Sequence, residues 1–389
     1  MSEKREFHGR HYESGTIANW LSSSCHPVSE AMALGASGGI AFGYFVFEYN
    51  GHLPHVALLP RNTFSPFERA LDNLGVRRTS METVKPEKGL ENLRRELDLG
   101  HAVVIWGDMF TASWNGMPQT GMWAMIPMLV IGHDDEGFWV VAGSREAFKV
   151  SVEEMQMIRG KVKKDRFRML VLEGVDESRL VYGLKSGIET CCELFLDKPP
   201  AGSAKNFGIS GMEQFVAMVR DEKNSMGWGK KFPAGDKFKQ AVAGRLGQPG
   251  VWDWIEVWGT DSGADRGTYA SFLRQAGPVL GVEFGSVADQ FDESARIWRE
   301  VAAGCLPESV PGLNRLREIK MERRALRWDD PVGSVDRRAE LAVEYRQVWD
   351  ECGDLAAEMG GIREAIADGV SRILAIEGAA VRELRLLVQ

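Results

Sequence analysis

The hydrophobic pattern of this chain changes period once, near residue 176, and that change constrains its fold more than any single motif. Before it, short apolar runs suited to strands alternate with segments of helical spacing. After it, apolar residues recur at three- and four-residue intervals to the end. "AVVIWGDMF" (102–110), "MLVIGHDDEGFWVVAG" (128–143) and "RFRMLVLEG" (166–174) read as strands, the middle one a hairpin closed at Asp135, Glu136 and Gly137. "ALGASGGIAFGYFVFEYN" (33–50) is a glycine-rich turn running into an aromatic strand or hairpin, and "HVALLP" (55–60) is a second strand. In "TFSPFERALDNLGV" (63–76), Ser65 is placed to cap a helix and Pro66 to open it, with Phe67, Ala70, Leu71 and Leu74 on one face. The expected class is α+β: a mixed domain with an antiparallel sheet over 1–175 and a mainly α-helical domain over 176–389.

In the second part, "LKSGIETCCELFL", "GISGMEQFVAMVRD", "TYASFLRQAGPVLG" and "QFDESARIWREVAAGCL" all have helical spacing. Ile362, Ile366, Val370, Ile373, Val381 and Leu384 form one stripe near the end, which reads as a long amphipathic hairpin or bundle edge. Such a stripe could also pair two copies of the chain as a homodimer. The length of 389 residues and a hydrophobic fraction of 44% suffice for two cores.

A net charge of -8 argues against a nucleic-acid surface or an anionic membrane as partner and leaves a small molecule or an ordinary protein. The opening MSEKREFHGRH has no apolar core of a signal segment, and no later stretch has the apolar length of a spanning helix, so the expected location is the cytoplasm. Five cysteines, Cys25, Cys191, Cys192, Cys305 and Cys352, lack paired spacing and read as reduced thiols. All seven histidines lie within the first 133 residues, so imidazole chemistry belongs to that part. His8, His11 and Glu13 have no fourth ligand in view, and the glycines at 35, 38, 39 and 43 are followed by no Walker lysine; neither a metal nor a cofactor is expected.

The stretch "HYESGTIANWL…VSEAMALGASGGIAFGYFVF" resembles the opening of the butirosin biosynthesis protein H family, and the helical segments of the second half resemble the domain that usually follows there. The resemblance implies a papain-like N-terminal domain that transfers an aminoacyl group from a carrier-protein thioester to an amine. That chemistry uses a cysteine at a helix N-terminus, a histidine base on a facing strand and a third group that orients the imidazole. On this pattern the cysteine position, after His11, holds Tyr12; the histidine position falls on Ile126; and the orienting residue falls near Ala142 and Gly143. All three roles are vacated.

What the residues then offer is a cleft rich in rings and thioethers. Tyr12, Glu13 and His11 are the catalytic candidates: Glu13 as acid or base in the first helical turn, Tyr12 as proton donor, His11 beside them. Asp108, Trp114, Met122, Trp123, Ile126, Phe42, Tyr44 and Arg266 are the candidates for holding substrate, with Asp108 free to cap the next turn instead. The expected ligand is a small aromatic amine, and the expected reaction an acid/base-assisted condensation or cyclisation through an imine. Two rivals stand beside it: direct acyl transfer from a carrier-protein thioester, and ligand binding without catalysis.

Overall fold

The computed structural model describes residues 5–117 and 123–389. In chain order its elements are α1 (Ser14–Ser23), α2 (Glu30–Ala36), β1 (Tyr44–Phe47), β2 (His55–Leu58), α3 (Pro66–Asn73), β3 (Val76–Met81), α4 (Pro86–Asp98), β4 (Val103–Asp108), β5 (Met125–His133), β6 (Gly137–Val141), β7 (Phe148–Ser151), α5 (Val152–Gly160) and β8 (Met169–Val175). Helices follow: α6 (Leu180–Leu196), α7 (Gly208–Arg220), α8 (Trp228–Lys231), α9 (Asp236–Val242), α10 (Val251–Glu256), α11 (Arg266–Leu280), α12 (Gly285–Cys305), α13 (Pro311–Asp329), α14 (Val335–Glu351) and α15 (Met359–Val388). Among the described residues no helix is long and apolar enough to cross a membrane.

The chain divides into two compact units. The first comprises residues up to Ala33, Leu71–Leu180 and Glu322–Ala342; the second comprises Leu34–Ala70, Val181–Met321 and Val343–Gln389. One passage between them, at Leu180/Val181, falls beside the change of hydrophobic period. The glycine-rich segment after Ala33, however, is grouped with the helices, and 322–342 with the sheet.

The first unit is built on a six-stranded sheet of order β3-β8-β4-β5-β6-β7, antiparallel at every pairing. Val103, Val104 and Ile105 of β4 are each wholly buried, which explains why this strand reads as a continuous apolar run. Helices α4 and α5 cover one face and α1 the other. Strand β3, "VRRTSM", has no apolar alternation and was not anticipated from the sequence. At the sheet edge only Val76 is buried, and two arginines there discourage pairing with another chain. Strand β7 and helices α4 and α5 were likewise unanticipated.

In the second unit β1 and β2, each expected as a strand, pair antiparallel with each other. Glycines ahead of the hairpin make room for α11. A Cβ at Gly35 would sit 2.2 Å from the Phe272 ring, and one at Gly39, whose φ is +69, would sit 2.5 Å from the Tyr269 ring. The six-residue stripe of α15 is buried against α12 and α7, so the surface that could have joined two copies is covered within the unit.

At its centre Arg266 and Glu377 pair through two bonds of 2.7 and 2.9 Å with both side chains fully enclosed. Ser294 Oγ and Trp298 Nε1 also donate to Glu377, at 2.6 and 3.0 Å. The other guanidinium hydrogens go to the carbonyls of Pro60, Ala264 and Ala41, each at 2.9 Å. Arg266 is therefore a core residue and not a substrate ligand. Phe42 and Tyr44 are core residues too, at 1% and 3% exposure, because alternation along the strand turns Tyr44 inward and Phe45 and Phe47 outward. Tyr269 is fully buried as well.

Replacing Glu377 by Gln leaves an uncompensated buried guanidinium, and the second unit should lose about 3 kcal/mol of unfolding free energy, read from urea denaturation. A second test uses pH. Burial pushes the Tyr44 hydroxyl up to about 12, against the lowering effect of the hydrogen bond donated by Trp228 Nε1. Below pH 10 the phenol is neutral in folded and unfolded chains alike; above it the unfolded chain loses the proton first. Stability should therefore fall between pH 10 and about 12, by about 2–3 kcal/mol from this group. Tyr44→Phe should flatten that decline in urea midpoints, and parallel curves for the two proteins would contradict it.

Candidate functional site

The turn that opens α1 is held by one carboxylate. Glu30, the first residue of α2, accepts from the backbone N–H of Arg10 at 2.8 Å, from that of His11 at 2.9 Å and from the Ser14 hydroxyl at 3.0 Å. Donors ahead of a helix have no partner within it, and a carboxylate there also meets the positive end of the helix dipole. Asn19 secures the same segment from inside the helix: its amide exchanges bonds of 2.9 and 3.1 Å with Gly9. The approach is close enough to exclude a side chain, since a Cβ on Gly9 would lie 2.3 Å from the Gly15 carbonyl oxygen. Thr16 Oγ1 donates to the Pro127 carbonyl at 3.3 Å and Trp20 Nε1 to that of Ala102 at 2.9 Å, so α1 is tied to the sheet.

On this support the three catalytic candidates stand in a row. His11 is buried, and its Nδ1 accepts from the Glu13 backbone N–H at 3.2 Å, which leaves the proton of the neutral ring on Nε2. The His11 ring lies 4.1 Å from that of Tyr12 at an interplanar angle of 30°. Tyr12 and Glu13 are both partly exposed, and Glu13, at the N-cap, makes no capping bond with its side chain.

A residue that sequence reasoning missed completes the surroundings. The guanidinium of Arg327, from the end of α13, donates through Nη1 to Asn115 Oδ1. Its Nη2 lies 2.8 Å, and the Arg10 carbonyl oxygen 3.1 Å, from the place a Cβ would occupy on Gly143, whose φ is +64. Arg327 thus stands among the turn before α1, the segment after β6 and the loop after β4. Two neighbours, Arg323 and Arg338, fasten that loop: Arg338 donates to the carbonyls of Trp114 at 2.7 Å and Asn115 at 3.0 Å, and Arg323 to that of Gly116 at 2.9 Å. Burial lowers all three guanidinium pKa values, Arg327 and Arg338 to about 10, with a neighbouring arginine adding to the effect in each of these two. They remain cations at neutral pH. No sequence signal links Arg327 to Tyr12, because more than 300 residues of chain separate them.

The remaining candidates for holding substrate are spread over capping, core and surface positions. Asp108 is enclosed and caps the end of β4, accepting from Thr111 N at 3.0 Å and Ala124 N at 2.7 Å. Trp114 is a core residue packed 5.2 Å from Phe148. Trp123 is 51% exposed, with Lys164 Nζ 5.2 Å from its ring. Met122 lies outside the described residues. Ile126 pairs with Gly107 and shares its face, where a Cβ on Gly107 would meet Ile158 of α5 at 3.1 Å. It therefore points away from α1. A count one residue off reverses the face of a strand, and the neighbours on the α1 side, Met125 and Pro127, offer no base either.

The model of the family described as butirosin biosynthesis protein H, N-terminal, matches residues 11–142. That segment belongs to the family. No curated protein matches the chain. Within the butirosin biosynthesis protein H segment lie His11, Tyr12, Glu13, Glu30 and Asn115, whereas Gly143 and Arg327 lie beyond it. The buried thiols offer no replacement nucleophile, since burial pushes Cys192 up to about 12 and Cys191 and Cys305 higher still.

Glu30→Ala should release the donors it gathers: amide exchange at Arg10 and His11 should quicken about tenfold or more, and stability should drop by about 1–3 kcal/mol. Unchanged protection at both amides would show that Glu30 does not hold the turn.

Proposed function

We propose that the chain is an enzyme of specialised-metabolite biosynthesis on an acyltransferase-like, papain-like scaffold that has lost its thiol triad, and that it condenses or cyclises a small aromatic amine by acid/base catalysis. The observation that carries this reading is the start of α1, where Tyr12 and Glu13 adjoin, both partly exposed, beside the buried His11 ring. The amine nitrogen attacks a carbonyl carbon while the Tyr12 hydroxyl gives its proton to the carbonyl oxygen; water leaves and an iminium remains. An aromatic carbon attacks the iminium, Glu13 takes the displaced ring proton, and solvent carries it back to Tyr12. His11 positions the pair through the bond its Nδ1 accepts from the Glu13 N–H.

Membership of residues 11–142 in the family favours a second reading, direct transfer of an acyl group from a carrier-protein thioester to the amine without an acyl-enzyme. Incubation of an arylethylamine with an aldehyde, and separately with an aminoacyl carrier protein, distinguishes them by product mass. A product lighter than its reactants by one water supports condensation, an acylated amine supports transfer, and binding without conversion supports a non-catalytic role.

For condensation, Glu13→Gln and Tyr12→Phe should each lower kcat by about a hundredfold or more while the circular dichroism spectrum is retained. Wild-type turnover in either variant would remove the proposal.

A further inference from the structure

Three arginines of residues 322–342, with Arg10 nearby, surround the loop that follows β4, and they do not all do the same work. Arg338 spends its guanidinium on Ser334 Oγ and on the carbonyls of Trp114, Asn115 and Pro331, and Arg323 on those of Gly116 and Arg338. Those two account for the fastening of the loop. Arg327 has Asn115 Oδ1 as its hydrogen-bond partner among the described residues, and its side chain is partly exposed. Among the described residues none of the three makes an ion pair with a carboxylate there. Cations placed close together and partly out of water repel one another, and neutral carbonyls lower that cost without cancelling the charge.

We infer that the ligand of this site carries a carboxylate, held by the guanidinium of Arg327 beside the Gly143 backbone and the Tyr12–Glu13 turn. The inference rests on the reading of the site as one for an aromatic amine and narrows it to an aromatic amino acid. Geometry supports the assignment in two ways. A planar guanidinium with donors to spare presents the fork that fits a carboxylate through two bonds. Position 143 has no side chain, and one added there would fall 2.8 Å from Arg327 Nη2. A carboxylate fixed at Arg327 would leave the amine of the same molecule free to face Tyr12 and Glu13.

The experiment compares L-tryptophan, tryptamine and indole-3-acetate by calorimetric titration of the full chain, as wild type, Arg327→Gln and Arg327→Lys. Both carboxylates should bind wild type about tenfold or more tightly than tryptamine does. Arg327→Gln should abolish that preference while leaving tryptamine binding unchanged, and Arg327→Lys should keep part of it. Tryptamine binding wild type as tightly as tryptophan would overturn the inference and leave the amine reading standing, and this comparison needs no variant to fold. Binding of indole-3-acetate with neither amine would support the carboxylate and remove the amine reading. No binding of any indole would overturn both.

Discussion

Arg266 and Glu377 are enclosed completely, and two charges removed from water in that way must find all their hydrogen bonds within the protein. The second unit is arranged around meeting that demand. Glu377 on α15 receives Arg266 of α11 and Ser294 and Trp298 of α12, while Arg266 in turn fixes the carbonyls of Ala41 and Pro60 on either side of the β1–β2 hairpin. The hairpin is thereby registered against the helices. The hydrophobic stripe of α15 contributes favourable burial, and the ion pair specifies where each piece sits.

The same device recurs in the first unit at smaller scale. Glu30 collects the donors ahead of α1, and Arg323 and Arg338 collect the acceptors of the loop after β4. Tyr12 and Glu13 follow directly on the first of these segments, and Arg327 bonds to Asn115 in the second. Polar groups of this kind act only when their geometry is held, which is the role of the surrounding hydrogen bonds. The buried thiols are held in their neutral form.

Much of the fold was legible in local pattern. The hairpin of β5 and β6, the buried strand β4, the helix opened by Pro66 and the stripe of α15 each appear where spacing places them, because each buries a continuous apolar face. Strand β3 escaped because an edge strand needs no such face, and α4 because Leu93 and Leu97 are the large apolar side chains it buries, beside Gly89, Asn92 and Glu96. The site was less legible. His11, Tyr12 and Glu13 adjoin in sequence and so were found together, whereas Trp114 and Asp108 are the right kind of residue used for packing and capping. Phe42, Tyr44 and Ile126 show the cost of period-two geometry, in which one position decides between two opposite faces.

The sequence by itself determined the periods of burial, the antiparallel pairing implied by short turns and the family of residues 11–142. These are local properties, set by which side chains can leave water and by neighbours a few bonds away. Only the tertiary structure decided that Glu30 holds the turn before α1, that Arg266 belongs to a core and that Arg327 reaches Gly143 and Asn115. Each of those depends on hydrogen bonds between residues distant in the chain, and the charge of a side chain does not reveal which distant partner will satisfy it.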